Sequence, residues 1–293
     1  MWRSAAELKC PMPFPELPFC YFPNKKGCYY GVNIRTNSLG FRDYEYSIEK
    51  PKNKKRIIFL GDSHTFGWGV AFDDIFPKRL ERLLNREKNN YEVINMGLGN
   101  SNSVMQLKLF KWKGLQFKPD MVIVMYFIND TEPTPRRHLL PEHLVVRHSY
   151  FWAFLFDRFS KFSAHFIKTF RREIYYNNIY SQKNSRWLTS NERALTELIN
   201  LCKKNNIKIL IVNIPELYNF KNYPFKYATE YIKDLAKRQN IPFLDLLPSF
   251  SSHSPESLWV SLEDPHLNAK GHAIAAKAIY KKLLYEDIAD KSS

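Results

Sequence analysis

Four short polar segments of the sequence contain the residue types that acyl transfer needs. Gly-Asp-Ser at residues 61–63 ends one apolar run, and Asn-Asp at residues 129–130 ends another. Glycines lie at residues 97–100, and acids precede a histidine within residues 263–268. A serine hydroxyl attacks a carbonyl once a base takes its proton, and N–H donors stabilise the resulting oxyanion. The segments predict acyl-transfer chemistry if the fold brings them together.

The base is expected from the segment Glu263-Asp264-Pro265-His266-Leu267-Asn268, just before the last predicted helix. A carboxylate beside a histidine holds the imidazole in one tautomer while the imidazole takes the serine proton. Considered alone, His266 would be interpreted as a surface or capping residue. Its convergence with the other three segments instead predicts that His266 is the general base for Ser63.

Three other polar residues near these segments are given structural interpretations. His64 follows Ser63, and adjacent side chains on a turn diverge, so His64 is not the expected base. His272 lies one turn into the last helix and is expected to pack or to cap. Asp62 is expected to hydrogen-bond within its turn. The sequence contains no ligand set that indicates a metal, and this chemistry needs neither a metal nor another cofactor.

Strand and helix patterns alternate five times along the chain. Strands are predicted at residues 57–60, 91–95, 121–128, 207–214 and 242–245, and helices at about 74–84, 102–117, 189–202, 227–239 and 269–285. Thr189 and Glu192 form an expected capping box. This alternation predicts a parallel sheet covered on both faces, most often in the strand order 2-1-3-4-5. That order places the loops after the first three strands side by side.

Two parts of the chain do not follow this alternation. Residues 1–45, rich in proline and aromatics, are predicted to form an extended N-terminal arm on a main domain of residues 46–293. Residues 131–188 are predicted to be a helical insertion with an aromatic stretch at 150–170. For the insertion, ordinary packing, a lid over the substrate and a helix at a membrane surface are three open interpretations.

The composition limits the partners and the location. The formal net charge of +15 indicates attraction to polyanions, but the lysines are scattered among acids and no nucleic-acid-binding motif is present. No apolar run approaches the roughly 20 residues of a membrane-spanning helix, and residues 1–13 do not resemble a signal peptide. A soluble or peripheral protein is expected, with oligomeric state open. Cys202 is expected to be buried, whereas a Cys20–Cys28 disulfide stays undecided.

Taken together and in this order, the four segments resemble the SGNH (GDSL-type) hydrolase superfamily over about residues 37–285. The lead-in at residues 37–43 is similar to bacterial members. The resemblance implies an α/β protein, a three-layer α/β/α flavodoxin-like fold with a five-stranded parallel sheet. It also implies the following roles: Ser63 as nucleophile and oxyanion-hole donor, Gly99 (alternatively Gly97) and Asn129 as further oxyanion-hole donors, and His266 as base.

The sequence departs from the family pattern at three places. His64 stands where an apolar residue is common, and the third segment reads Phe-Ile-Asn-Asp rather than Gly-x-Asn-Asp. The family's commoner Asp-x-x-His spacing would make Glu263 the acid, whereas the Asp-x-His spacing of some relatives fits Asp264. Asp264 is the favoured residue.

Three functions are compatible with these features. The first is a serine esterase or acyl-ester hydrolase that acts through an acyl-enzyme on a carbohydrate or lipid ester. The second is an O-acetyltransferase that acts on envelope polysaccharide, which the Asp-x-His spacing and the basic surface favour mildly. The third is a non-catalytic protein that binds glycans or a membrane surface. Relatives of this kind are often associated with the bacterial cell envelope.

Overall fold

The N-terminal segment, predicted to be an extended arm, contains two β-hairpins. The structure is a computed structural model, and it describes residues 5–29, 31–87, 89–134, 172–181 and 185–285. The strands of the first hairpin are β1 (Lys9–Phe14) and β2 (Leu17–Tyr21), and those of the second are β3 (Lys26–Tyr29) and β4 (Val32–Arg35). Every residue of β2 is buried. Prolines in β1 and β2 obscured the strand pattern in the sequence, because a two-stranded hairpin tolerates proline at its open edges.

The central sheet has the predicted parallel arrangement. Its strands are β5 (Lys55–Leu60), β6 (Tyr91–Asn95), β7 (Met121–Tyr126), β8 (Lys208–Asn213) and β9 (Phe243–Asp245). They are parallel in the order β6-β5-β7-β8-β9, which is the expected order 2-1-3-4-5. A short antiparallel hairpin of β10 (Trp259–Ser261) and β11 (Asp264–Leu267) precedes the last helix.

Helices cover both faces of the sheet. They are α1 (Ser63–Phe66), α2 (Phe76–Leu84), α3 (Ser103–Leu109), α4 (which includes residues 172–181), α5 (Arg186–Lys204), α6 (Lys226–Arg238), α7 (Leu247–Phe250) and α8 (Ala269–Tyr285). Ile58 and Leu60 of β5 belong to the core cluster with α3 and α5, and Ile57 and Phe59 belong to the one with α2 and α8. Successive strand residues point to opposite faces, so an uninterrupted apolar strand builds both layers.

Several predicted boundaries differ from those of the structure, and two of the differences have a clear local cause. Helix α5 begins at Arg186 and not at Thr189, because the hydroxyl of Ser185 accepts a hydrogen bond from the Leu188 N–H at 3.1 Å and caps the helix. Strand β7 ends at Tyr126 and not at residue 128. The apolar residues that follow it enter a 3₁₀ turn, Ile128–Thr131, which is stabilised by the buried carboxylate of Asp130.

The sequence also led to predictions about the cysteines, the aromatic stretch and membrane spans. Cys202 is buried as expected, and Cys20 and Cys28 are free thiols that lie in different hairpins. The aromatic stretch at 150–170 lies outside the described residues, so its three interpretations stay open. Within the described ranges, no helix combines the length and the apolar character needed to cross a bilayer.

Candidate active site

Ser63 is the first residue of α1 and lies just past the carboxyl end of β5. The turn depends on Gly61, because a Cβ atom there would lie 2.1 Å from Thr65 Oγ1 and 3.0 Å from Met125 Cβ. Asp62 caps the helix by accepting a hydrogen bond from the His64 N–H at 2.9 Å, as predicted. This turn places Ser63 at the edge of the sheet where parallel α/β proteins bind ligands.

His266 lies directly against Ser63. Its Nε2 atom is 2.8 Å from Ser63 Oγ, and its Nδ1 atom contacts Asp264 Oδ1. Burial alone would raise the pKa of Asp264, but the hydrogen bond and charge of His266 outweigh burial and lower that pKa. The three residues form a serine–histidine–aspartate series, and Asp264 is the acid in contact with the ring. Glu263 lines the adjoining cavity.

Asn129 lies in the 3₁₀ turn that follows β7. Its Nδ2 atom donates to Asp62 Oδ2 at 3.0 Å, which leaves the second N–H of the carboxamide for another acceptor. The turn is anchored by Asp130, whose carboxylate accepts from Gln106 Nε2 at 2.7 Å and from the Phe127 N–H at 3.1 Å. Burial raises the pKa of Asp130 well above its ordinary value, and the charge of Asp62 adds to the effect.

The two glycines after β6 have different surroundings. Gly97 packs against the backbone of α1, where an added Cβ would lie 2.3 Å from Phe66 N, and its N–H donates to Asn95 Oδ1 at 3.0 Å. Gly99 lines the same cavity as Ser63. Its N–H donates to Tyr21 Oη at 2.6 Å, a contact that the sequence analysis did not predict. Gly99 is therefore the glycine at the cavity.

His64 and His272, the two other histidines considered from the sequence, are buried away from solvent. His64 is buried with its ring centroid 4.8 Å from that of Phe127 and 4.9 Å from that of His266. Burial and the charge of His266 lower the pKa of His64 well below its ordinary value. His272 Nδ1 accepts a hydrogen bond from the Phe76 N–H at 3.0 Å, and burial lowers the pKa of His272 to about 3. His272 therefore packs and caps α2, as predicted.

A cavity of about 550 Å³ opens in front of Ser63. Its walls include Asn129 and His266, together with charged residues that the sequence analysis missed, Lys9 and the ion pair between Arg172 and Glu216. No local pattern could have revealed this pair. Arg172 belongs to the insertion, Glu216 follows β8, and only the tertiary fold joins them.

The chain is similar to known proteins in its sequence pattern and in its fold. A model of the GDSL-like lipase/acylhydrolase family matches residues 59–274, a range that includes Ser63, Gly99, Asn129 and His266. A search of curated proteins gives no match.

Solved structures share the fold at low sequence identity. A psychrotrophic esterase from Pseudoalteromonas sp. is 14% identical with a TM-score of 0.52, and the match covers 80% of this chain and 98% of that one. A catalytic mutant of an acetylxylan esterase from Geobacillus stearothermophilus is 17% identical with a TM-score of 0.52, covering 80% and 96%. A lipase/acylhydrolase from Enterococcus faecalis is 12% identical with a TM-score of 0.51, covering 79% and 96%.

Proposed function

Because the chain belongs to the GDSL-like lipase/acylhydrolase family and is an ester-bond hydrolase, we propose that it acts as a serine esterase through an acyl-enzyme on Ser63. The observation that carries the proposal is the 2.8 Å contact between Ser63 Oγ and His266 Nε2. This distance lies within the range over which a histidine can take a serine proton.

In the first half of the reaction, His266 Nε2 takes the hydroxyl proton as Ser63 Oγ attacks the ester carbonyl. Asp264 accepts the Nδ1–H bond, which selects the productive tautomer and stabilises the imidazolium. His266 then gives the proton to the departing alkoxide, and the acyl group stays on Ser63. In the second half, His266 activates a water that releases the acid and restores the hydroxyl.

The oxyanion of each tetrahedral intermediate needs hydrogen-bond donors directed at the former carbonyl oxygen. The Ser63 N–H lies in the first turn of α1, where backbone N–H groups lack intrahelical acceptors. The second N–H of Asn129 Nδ2 supplies a side-chain donor, since its first N–H is held by Asp62. Gly99, the third predicted donor, lines the same cavity, but its N–H donates to Tyr21 Oη. Such preorganised donors give the largest single stabilisation in many acyl-transfer enzymes.

The cavity walls favour a polar substrate. Lys9, Arg172 and Glu216 place charged groups around the nucleophile, and Tyr218 adds an aromatic face with a hydroxyl. Polar groups and an aromatic face can contact the hydroxyls and the ring of a carbohydrate alcohol, whereas a long acyl chain would need an apolar wall. We therefore propose a short-chain acyl ester of a carbohydrate as the substrate class.

A second candidate, an O-acetyltransferase, uses the same residues with a sugar hydroxyl in place of water. The contact of Asp264 with His266 favours it mildly, because it realises the Asp-x-His spacing. Turnover that rises with added polysaccharide and yields acetylated sugar identifies the transferase. Turnover that depends on water alone identifies the hydrolase.

The proposal is tested by hydrolysis of p-nitrophenyl acetate, butyrate and octanoate. Wild type, Ser63→Ala and the control Ser190→Ala, an exposed serine on α5, are compared side by side. We expect activity in wild type and Ser190→Ala, a preference for the acetate, and loss of activity in Ser63→Ala. Activity that survives in Ser63→Ala contradicts the serine mechanism, and a preference for the octanoate contradicts the short-chain substrate.

A further inference from the structure

The Tyr21 hydroxyl accepts the hydrogen bond of the Gly99 N–H, the backbone amide predicted to serve the oxyanion hole. Tyr21 Oη accepts the Gly99 N–H at 2.6 Å. A backbone N–H carries a single hydrogen, so in this arrangement Gly99 has none to offer a substrate oxygen. A third donor, besides Ser63 and Asn129, is therefore either a different group or the Gly99 N–H after displacement of Tyr21.

Tyr21 is itself a suitable donor. Its side chain lines the cavity together with Ser63 and Asn129. Burial raises the pKa of the Tyr21 hydroxyl above its ordinary value, so the hydroxyl keeps its proton at neutral pH. Among the described residues, none accepts that proton in a hydrogen bond, and a phenolic O–H that already accepts one bond can still donate another.

The surrounding structure holds the Tyr21 ring in place. The ring centroid lies 4.8 Å from that of Phe66, which is on the same short helix as Ser63. The backbone of Tyr21 lies against Gly40, whose φ of +84° and missing side chain permit the contact, since a Cβ there would lie 2.3 Å from Tyr21 O. The hydroxyl is thus positioned relative to the nucleophile before any substrate binds.

We propose that Tyr21 is a catalytic residue whose O–H donates a hydrogen bond to the oxyanion, while the Gly99 N–H orients that hydroxyl from behind. The Gly99 N–H donates to Tyr21 Oη, and the Tyr21 O–H in turn donates to the oxyanion. Linked hydrogen bonds polarise one another, so the amide strengthens the hydroxyl as a donor. The inference rests on the proposed function, because the oxyanion is the one formed by attack of Ser63.

The test is the substitution Tyr21→Phe, which keeps the ring and removes the hydroxyl. With p-nitrophenyl acetate we expect kcat to fall about 100-fold and KM to change little, as for the loss of one oxyanion donor. The rate at which p-nitrophenyl ethylphosphonate modifies Ser63 falls in parallel, because that reaction builds a similar oxyanion. The control Tyr44→Phe removes an exposed hydroxyl from the same N-terminal segment and leaves both rates unchanged.

A kcat in Tyr21→Phe equal to or above that of wild type overturns the proposal, since the Gly99 N–H then serves the oxyanion once Tyr21 is gone. If Ser63→Ala is inactive in the same assay, the serine mechanism stands and only the role of Tyr21 fails. If Ser63→Ala keeps its activity, both fail.

A second measurement needs no variant of Tyr21. A crystal structure of the wild-type protein phosphonylated on Ser63 shows directly which atom contacts the phosphonyl oxygen. Tyr21 Oη within hydrogen-bond distance of that oxygen supports the proposal. Gly99 N in that position, with the tyrosine displaced, overturns it.

Discussion

The Nε2 atom of His266 lies 2.8 Å from the Oγ atom of Ser63, although 203 positions separate the two residues along the chain. The β10–β11 hairpin makes this contact, because it returns from the far edge of the sheet to the loop after β5. Asp264 begins β11, and His266 follows two residues later on the same strand. One short strand therefore holds both residues at the serine.

The position of the acid predicts unequal effects of two neighbouring substitutions. Asp264→Asn removes the carboxylate that contacts His266 Nδ1, so we expect kcat to fall roughly 10³- to 10⁴-fold through loss of the correct tautomer. The matched substitution Glu263→Gln leaves kcat unchanged. Steady-state kinetics on p-nitrophenyl acetate compare the two, and a larger loss in Glu263→Gln would show that the acid is misassigned.

Asn129 should matter to the transition state rather than to substrate binding. Asn129→Ala removes a proposed oxyanion donor, and we expect kcat to fall about 10²- to 10³-fold with little change in KM. Asn222→Ala, an exposed asparagine after β8, serves as the control. Equal kcat values for Asn129→Ala and wild type would exclude Asn129 from the oxyanion hole.

Arg42 holds the loop that follows the nucleophile. Its guanidinium is buried and donates to the carbonyl oxygens of Phe66, Gly67 and Val70, the last at 2.6 Å. A lysine cannot reproduce this fork, so Arg42→Lys should lower the free energy of unfolding by about 2–3 kcal/mol.

Urea denaturation measures the free energy of unfolding of Arg42→Lys against wild type. Arg35→Lys, the same change at an exposed arginine, is the control. The idea that Arg42 clamps the loop is wrong if both variants are as stable as wild type.

The buried His272 predicts a pH dependence of stability. Its folded pKa, lowered to about 3 by burial, lies below the unfolded value near 6.5, so the unfolded chain binds a proton that the folded chain refuses. Stability is therefore lost as the pH falls from 6.5 towards 3. Between pH 6 and pH 4, proton uptake by this residue in the unfolded chain lowers the free energy of unfolding of the wild type by roughly 2 kcal/mol.

His272→Asn keeps an acceptor for the Phe76 N–H but cannot take up a proton. Its unfolding free energy should therefore fall less steeply over the same pH range, as measured by urea denaturation at successive pH values. His64 is retained in both proteins and cancels in the comparison. Parallel curves would mean that His272 is not the residue responsible.

The local pattern of the chain was enough to predict the main sheet. Apolar runs such as β6 and the helix α8 were predicted with the bounds that the structure has, because hydrophobic periodicity is a property of neighbouring residues. The strand order then followed from the preferred topology of parallel sheets. Errors occurred where a local signal had a competitor, as at Ser185, which caps α5 in place of Thr189.

The sequence by itself determined the residue types of the site and the sheet edge on which they lie, since both depend on short segments. Only the tertiary structure decided the contact of Tyr21 with Gly99, the pairing of Arg172 with Glu216, and the contact of Asp264 with His266. The first two contacts join atoms on separate elements, and the third joins two residues of β11 whose side chains lie against Ser63 of α1. Such distances are set by packing of the whole core, which no local pattern encodes.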